Sequence, residues 1–397
     1  MNEQLPGVCV VSPSYHLSVS GVGKQSQLLT ERLADLGVPV FAIARRIHNL
    51  APAAYSPKVP LFRVWNTRPD LHNFEEVRAE NVLASLSFSL ACGLQLFRKR
   101  KDYRIVHFHG ASLPLFVNLP LLILLRKKVI AKIATAKIGT EAGSLKGRHH
   151  GLGNFLIRLL RHVDAFIATS SEIEEGLLAD GFEREKINRI PNFVDLSLFG
   201  PVTHEERERW KEQLGFAGRT VVTFSGTLVE RKGAEPLIRA WKAVVARDPK
   251  AHLLLLGKGP LVPPLQQLVR DLGIEGSVTF HGHTPKVAEF LHATDIFVLP
   301  SLQEGMPNTL LEAMACGLPA VATRIGGVVD VMQDGESGIV VEPGDSEGLA
   351  AGILRYLEDK DFAELAGRSA HGTIRERFSL DTIAARYVDL YRKLAKR

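Results

Sequence analysis

Cysteine is scarce in this sequence of 397 residues, and the three that occur, Cys9, Cys92 and Cys316, are far apart. An odd number of widely spaced thiols excludes a disulfide framework, and no pair has the close spacing of a metal site. We therefore expect a protein of a reducing compartment.

Long apolar runs are also missing. The most apolar short segment, residues 119–125, contains Pro120 and is followed by three basic residues. It is far shorter than the roughly 18–20 apolar residues that cross a bilayer. Residues 1–4 lack the basic and then apolar pattern of a signal peptide. These absences favour a cytoplasmic protein.

Acidic residues are few in the first half. Residues 1–198 contain 25 Lys and Arg against 17 Asp and Glu, whereas the rest of the chain contains 24 against 26. This excess favours an anionic partner, either an acidic or phosphorylated acceptor or an anionic membrane surface; a solvated basic face is the alternative. Aromatic residues make up only 7% of the chain, and no base-stacking cluster or recognisable reading module accompanies the charge. We therefore expect no nucleic-acid partner.

What the chain does contain is a regular alternation of short apolar runs and helix-like segments. Its length and its 45% hydrophobic content indicate two domains. The alternation predicts an α/β protein in which helices cover both faces of parallel sheets. It breaks near residues 195–205, where one doubly wound lobe gives way to the next. The predicted strands are residues 8–11, 38–44, 105–109, 129–135, 165–168, 221–224, 253–256, 278–280, 296–299 and 320–322, and helices are predicted at 25–36 and 382–395.

The sharpest motif spans residues 300–317, where a predicted strand ends in a glycine loop and a helix follows. Asn308 is a suitable N-cap, and residues 309–315 have helical composition. A helix N-terminus presents amide hydrogens and partial positive charge, which suit a diphosphate. Glu312 lies one turn into the helix, where its carboxylate would accept hydrogen bonds from both hydroxyls of a ribose. Glu304 lies before the loop and would reach a sugar beyond the phosphates. The alternative is a loop carboxylate and a helix-surface charge.

Two further strand-to-loop turns in the second half carry cations. Arg231 and Lys232 lie in residues 224–233, and Lys258 lies in residues 255–260. A lysine aimed into a cleft would neutralise a diphosphate leaving group, whereas a surface cation pair is the common alternative. The turn that contains Lys258 would flank a base.

The first half has a glycine motif and a histidine pair. Gly21 and Gly23 lie between the first strand and a helix, but they lack the third glycine of the dinucleotide pattern and a Walker lysine-serine pair, which disfavours ATP hydrolysis. His107 and His109 end a strand, and alternation places both on one face. His109, nearer the edge, suits a polar contact to a sugar, with a packed histidine as the alternative.

Residues 85–97 mix large apolar and small side chains and are followed by four basic residues. Such a segment suits an anionic membrane surface, with its apolar face down. A buried helix with a solvated basic end is the alternative.

Together these motifs resemble the retaining glycosyltransferase family 4, whose members have the GT-B fold of two Rossmann-like lobes facing a central cleft. The resemblance covers nearly the whole chain. It is densest over residues 190–338, where Gly326-Gly327 accompany Glu304 and Glu312. It implies an N-terminal acceptor-binding lobe at 1–198 and a C-terminal donor-binding lobe at 199–379. The last helix, about 380–397, would pack back on the first lobe.

The resemblance also implies an activity. A hexose-type sugar would pass from a UDP- or GDP-sugar to a hydroxyl of a glycan, lipid-linked or small-molecule acceptor, with retention by same-face attack. Cell-surface polysaccharide or glycoconjugate synthesis at the inner face of the membrane is the expected setting. No metal or other cofactor is expected. The implied catalytic residues are Lys232, Glu304 and His109. The implied donor-binding residues are Gly21, Gly23, Gly226, Thr227, Arg231, Lys258, Gly305, Met306, Pro307, Asn308, Thr309 and Glu312.

Two positions depart from the family pattern. Thr227 stands where the family often has an arginine, and residues 134–137 stand where a histidine is common. Thr227 favours one alternative, a non-catalytic subunit that binds sugar nucleotides, whereas the change at residues 134–137 suits a different acceptor. A sugar-nucleotide epimerase on the same fold is a further alternative.

Overall fold

The computed structural model describes residues 5–15, 21–47, 58–68, 79–133 and 152–396. The chain divides into two compact units, one formed by Met1–Asn192 with Leu380–Arg397 and the other by Phe193–Ser379. The division falls a few residues before the position 198 predicted from the sequence. Val194 and Phe199 are the reason, because both are buried in the core of the second unit.

The first unit is built on a seven-stranded parallel sheet in the order β3-β2-β1-β4-β5-β6-β7. Its strands are β1 Val8–Val11, β2 Val40–Arg45, β3 Leu61–Val64, β4 Ile105–His109, β5 Lys128–Ile133, β6 Ala165–Ala168 and β7 Ile187–Arg189. Its helices are α1 Gly21–Asp35, α2 Ala79–Arg98, α3 Leu113–Leu124, α4 Leu152–Leu160, α5 Ser171–Ala179 and, at the end of the chain, α14 Leu380–Lys396.

The two faces of this sheet differ in chemistry. Val106 and Phe108 of β4 join an apolar core that also contains Phe88 and Leu96 of α2. Alternation along the strand turns the histidines of β4 to the opposite face. Tyr391 of α14 bonds to one of them there, so the last helix covers the polar face.

Helix α1 begins at Gly21, four residues before the predicted start. Gly21 and Gly23 therefore lie in the first turn of a helix and not in a loop, which corrects the expected glycine loop. The Ser26 hydroxyl donates to the Val22 carbonyl at 2.7 Å, and Ser26 is fully buried. Packing of this turn against the unit offsets the low helix propensity of glycine.

The second unit contains a six-stranded parallel sheet in the order β10-β9-β8-β11-β12-β13. Its strands are β8 Thr220–Ser225, β9 Ala251–Leu256, β10 Val278–Gly282, β11 Ile296–Leu299, β12 Ala320–Thr323 and β13 Ile339–Val341. Its helices are α6 His204–Leu214, α7 Ala234–Arg247, α8 Val262–Asp271, α9 Val287–His292, α10 Asn308–Ala315, α11 Gly326–Val331, α12 Ser346–Glu358 and α13 Lys360–Arg377.

Asp295, directly before β11, fixes the amino-terminal edge of this sheet. Its carboxylate accepts from the Val221 amide at 2.7 Å and pairs with the ammonium of Lys211 at 2.9 Å. Lys211 is only 5% exposed and also pairs with Glu208 at 2.8 Å. A buried lysine in this unit thus has its charge balanced, as buried charges generally require.

Three strands, β3, β7 and β13, were not predicted, and each is an edge strand. Their side chains are largely half-buried; β3 and β7 contain polar residues, and β13 is an apolar run of only three residues. No helix in the described ranges is long and apolar enough to cross a membrane.

Candidate functional site

The carboxyl edge of the second sheet brings two predicted motifs together. Strands β8 and β11 are parallel neighbours, with Val222 beside Ile296 and Thr223 beside Phe297. Their carboxyl ends therefore meet at one edge, which is where doubly wound sheets bind ligands. The loop after β8 carries Lys232, and the loop after β11 carries Glu304.

The ammonium of Lys232 donates a hydrogen bond to Oε1 of Glu304. Glu304 also accepts from the Ser301 hydroxyl at 3.0 Å, and its other oxygen lies 3.7 Å from the Arg231 guanidinium. The side chains of Lys232 and Glu304 are 15% and 10% exposed. These are not surface charges, since the partly buried pair places a cation and a carboxylate at the same point of the edge.

Gly233 fixes the distance between the two loops. Its φ of +66° lies in the left-handed region, and a Cβ there would collide with the Pro300 carbonyl. The Leu302 amide donates to the Arg231 carbonyl at 2.8 Å across the same contact. Backbone packing, rather than the ion pair alone, therefore holds Lys232 beside Glu304.

Helix α10 starts at Asn308 with Pro307 as its N-cap, and no side chain caps its first turn. Asn308 is thus the first helical residue, which corrects the N-cap predicted from the sequence. The proline ring presets a compatible backbone angle just before the helix. The loop before α10 packs against the first turn of α11. The Gly327 amide donates to the Gly305 carbonyl at 2.8 Å, and a Cβ on Gly327 would collide with Met306.

Glu312 lies one turn into α10 and is 7% exposed, so it is not a helix-surface charge. Its neighbours Leu310 and Leu311 are fully buried and anchor the helix in the core of the second unit. Thr309 is half-buried in the first turn. A carboxylate held this deep beside a helix N-terminus suits a polar ligand.

The other predicted donor residues of the second unit lie on the loops after β8 and β9. The Gly226 amide donates to the Leu256 carbonyl at 2.9 Å, and the Leu228 amide to the Lys258 carbonyl at 3.0 Å. The side chains of Thr227 and Lys258 are exposed. The two loops pack closely because a Cβ on Gly257 would meet the Gly226 backbone.

In the first unit, His107 and His109 lie side by side on the covered face, with ring centroids 4.4 Å apart. Nδ1 of His107 is 2.9 Å from the Tyr391 hydroxyl. Burial and the Lys132 ammonium lower the pKa of His107 to about 3. Burial, His107 and Lys132 likewise hold the pKa of His109 well below its ordinary value, so both rings are neutral. Residues 134–137 lie outside the described ranges.

Two family models together match most of the chain. The one described as Glycosyltransferase Family 4 matches residues 19–198, and the one described as Glycosyl transferases group 1 matches residues 219–359. The lipopolysaccharide core biosynthesis glycosyltransferase LpsE of Rhizobium meliloti is 36% identical over 241 residues, which are 60% of this chain and 68% of LpsE. The chain belongs to glycosyltransferase family 4.

Similarity to other proteins extends over nearly the whole length of this glycosyltransferase. N-acetyl-alpha-D-glucosaminyl L-malate synthase of Bacillus anthracis is 27% identical over 388 residues, 94% of each chain. HepE of Anabaena, crystallised with UDP and glucose, matches with a TM-score of 0.77 at 19% identity and covers 98% of this chain and 100% of that one. The α/β GT-B fold predicted from the sequence is confirmed.

In this glycosyltransferase the structure joins Lys232, Arg231 and Glu304 at one point, and the loop that carries Glu304 leads directly into the first turn of α10. No cluster of His, Cys, Asp and Glu suited to a metal ion occurs within the described ranges. The sequence missed Lys132, which lies beside His109 in the parallel register. Its one signal was a charged residue inside an otherwise apolar strand.

Proposed function

We propose that this glycosyltransferase moves a hexose-type sugar from a UDP- or GDP-sugar to an acceptor hydroxyl with retention of the anomeric configuration. The acceptor is a glycan, a lipid-linked sugar or a small molecule, and the setting is cell-surface polysaccharide or glycoconjugate synthesis at the inner face of the membrane. The observation that carries the proposal is the Lys232–Glu304 pair at the carboxyl edge of the second sheet.

Each residue has a role that follows from its chemistry. The first turn of α10 and the ammonium of Lys232 stabilise the diphosphate as negative charge grows on the leaving group. Glu312 binds the ribose hydroxyls, and Glu304 orients both Lys232 and the sugar. His109 of the first unit, neutral at physiological pH, donates or accepts a hydrogen bond to a sugar substrate. No protein base is needed if a donor phosphate oxygen takes the acceptor proton on the same face.

Relatives support the donor and acceptor classes. HepE was crystallised with UDP and glucose, and the name of LpsE places that enzyme in lipopolysaccharide core synthesis. The name of the Bacillus anthracis relative describes transfer of an aminosugar to L-malate, a small dicarboxylate. A nucleotide-sugar donor and a hydroxyl acceptor of varied size fit all three.

The test is a donor panel of UDP-, GDP- and ADP-hexoses, with and without lipid-linked and small acceptors. We expect nucleotide diphosphate release that depends on an acceptor, and an NMR coupling in the product that matches the anomer of the donor. Inverted product contradicts retention. Donor conversion without an acceptor supports the epimerase. Thermal stabilisation by a nucleotide without turnover on any acceptor supports the non-catalytic subunit.

We also propose that the first unit docks on an anionic membrane through an apolar stripe on α2. Phe88, Cys92 and Leu96 of α2 face the core. The opposite side exposes Leu83, Leu86, Leu90, Leu94 and Phe97. Exposed Arg98 and Lys101 follow this stripe, so apolar and basic groups lie together as in interfacial helices.

Replacing Leu90 by glutamate is expected to weaken binding to phosphatidylglycerol vesicles about tenfold or more, because a carboxylate replaces a side chain that is 62% exposed on the stripe. Leu365→Glu is the matched control, since Leu365 is 57% exposed on α13 of the second unit. Vesicle co-sedimentation at low and high salt measures both. If equal fractions of Leu90→Glu and Leu365→Glu sediment with the vesicles, or if salt does not weaken binding, the docking proposal is wrong.

A further inference from the structure

Three basic side chains occupy the covered face of the first sheet near its carboxyl edge. His109 of β4 and Lys132 of β5 are direct partners in the parallel register, and His107 precedes on the same face. His107 is fully buried, and His109 and Lys132 are each 5% exposed. This part of the sheet therefore holds three nitrogen bases where a core would normally be apolar.

Helix α14 fixes one side of this cluster. The Tyr391 hydroxyl bonds to Nδ1 of His107 at 2.9 Å, and the Tyr387 ring lies 5.4 Å from the His107 ring. His107 in turn lies against His109, with ring centroids 4.4 Å apart. The orientation of His109 is thus set through His107 by the last helix, which makes His107 and Tyr391 positioning residues.

The other side of the cluster has no hydrogen-bond partner among the residues that the structure describes. Within that part of the chain, Nζ of Lys132, both ring nitrogens of His109 and Nε2 of His107 are buried without a hydrogen bond. A buried donor without a partner is costly, and buried polar groups in native proteins are nearly always satisfied. Lys211 of the second unit, equally buried, shows the usual arrangement with two carboxylates. Within the described ranges no carboxylate pairs with Lys132.

We propose that Lys132 and His109 form a subsite for an oxyanion, a carboxylate or a phosphate carried by one of the sugar substrates. The inference rests on the proposed function and narrows its substrate class to an anionic donor sugar or an anionic acceptor. An ammonium and an imidazole at the carboxyl edge of adjacent strands present donors where ligands of such sheets bind. The oxyanion supplies the charge and the acceptor atoms that the cluster lacks.

A stability measurement separates a binding lysine from a structural one. Lys132→Met removes a buried charge without a partner and keeps the chain length, so we expect its Tm without ligand to rise by about 4 °C or more. Lys211→Met is the matched control and should lower Tm, because it leaves the Asp295 carboxylate without its buried partner. A fall in Tm for Lys132→Met similar to that control overturns the proposal.

The difference in Tm between Lys132→Met and the wild type should also depend on pH. Burial lowers the pKa of Lys132 to about 7, so between pH 7 and about 10 this lysine binds more protons in the unfolded chain than in the folded one, and its own contribution to stability rises with pH. His107 and His109 stay neutral there because their pKa values are lowered, and Tyr387 and Tyr391 because theirs are raised. The Tm advantage of Lys132→Met should therefore be largest at pH 7 and shrink towards pH 10. A Tm difference that does not change with pH would contradict the proposal that Lys132 carries a buried charge in the absence of ligand.

Binding is measured by calorimetry on the intact enzyme with matched anionic and neutral ligands. The donor arm compares UDP-glucuronate with UDP-glucose, and the acceptor arm compares N-acetylglucosamine 1-phosphate with N-acetylglucosamine. In one arm, Lys132→Met should weaken the anionic ligand at least tenfold and leave the neutral one unchanged, while Lys132→Arg keeps part of the affinity. The arm that responds identifies the source of the oxyanion.

Unchanged affinity of Lys132→Met for both anionic ligands overturns the subsite. These affinities are read without turnover. An enzyme that fails the donor panel would therefore refute the proposed function, while calorimetry would still show whether Lys132 binds an anion.

Discussion

Replacing Lys232 by methionine is expected to lower kcat by about 10²–10³-fold, the usual cost of removing one group that stabilises charge in the transition state. The Lys232 side chain is only 15% exposed and its ammonium is held by Glu304, so the charge is poorly screened by water. The KM for the donor should change less than kcat, because negative charge on the leaving diphosphate grows as the bond breaks. Nucleotide diphosphate release at saturating donor measures the effect.

The control for this experiment is Lys250→Met. Lys250 is exposed at the start of β9, at the opposite edge of the second sheet, and should leave kcat unchanged. The Tm of Lys232→Met should fall, because Glu304 loses a buried partner and keeps only the Ser301 hydroxyl and the Arg231 guanidinium, so kcat is compared below the melting transitions of both variants. If Lys232→Met turns over at the rate of Lys250→Met, the proposed role of the ammonium is wrong.

A double variant tests whether the pair acts as a unit. Glu304→Gln keeps the size of the side chain but removes the charge that orients Lys232. Because the two groups are bonded, the losses of kcat in Lys232→Met and Glu304→Gln should not add in the double variant. Additive losses, measured with the same assay, would indicate that the two residues act at separate points of the substrate.

The central strands could be predicted because parallel strands covered on both faces are continuous apolar runs. Val8–Val11, Ala165–Ala168 and Ile296–Leu299 have the predicted bounds for this reason, and Ile105–His109 has them although two of its five residues are histidines. The edge strand at Leu61–Val64 was not predicted, because its side chains are all half-buried. Edge position alone does not hide a strand, because β10 is also at an edge and was predicted; β3 differs in that a charged residue, Arg63, interrupts its apolar pattern.

Part of the candidate site could be predicted from the sequence, and part of it could not. The spacing of Glu304 and Glu312 is visible in the sequence because a loop and a helix start are local features. The contact of Lys232 with Glu304 joins residues 72 positions apart and depends on the order of strands in the sheet. Lys132 was missed for a related reason, since only the fold shows that this lysine is buried and has no side-chain partner within the described ranges.

Replacing Gly233 by alanine is expected to separate the two loops of the donor site and lower both stability and activity. The change forces an L-residue to φ +66°, which costs about 1–2 kcal/mol, and also drives a methyl group into the Pro300 carbonyl. Relief of that collision displaces the loop that carries Glu304. We expect a further loss of about 1–3 kcal/mol from the overpacked contact.

Gly273→Ala separates these two effects. Gly273 has nearly the same φ, +67°, but nothing lies within 4 Å of the Cβ that would be added. Urea unfolding should therefore show a loss of about 1–2 kcal/mol for Gly273→Ala, from backbone strain alone, and a larger loss for Gly233→Ala. The ratio kcat/KM should fall only in Gly233→Ala, because only that substitution moves Glu304 away from Lys232. Equal stability of the two variants, or full activity of Gly233→Ala, would mean that the Pro300 contact does not set the geometry of the donor site.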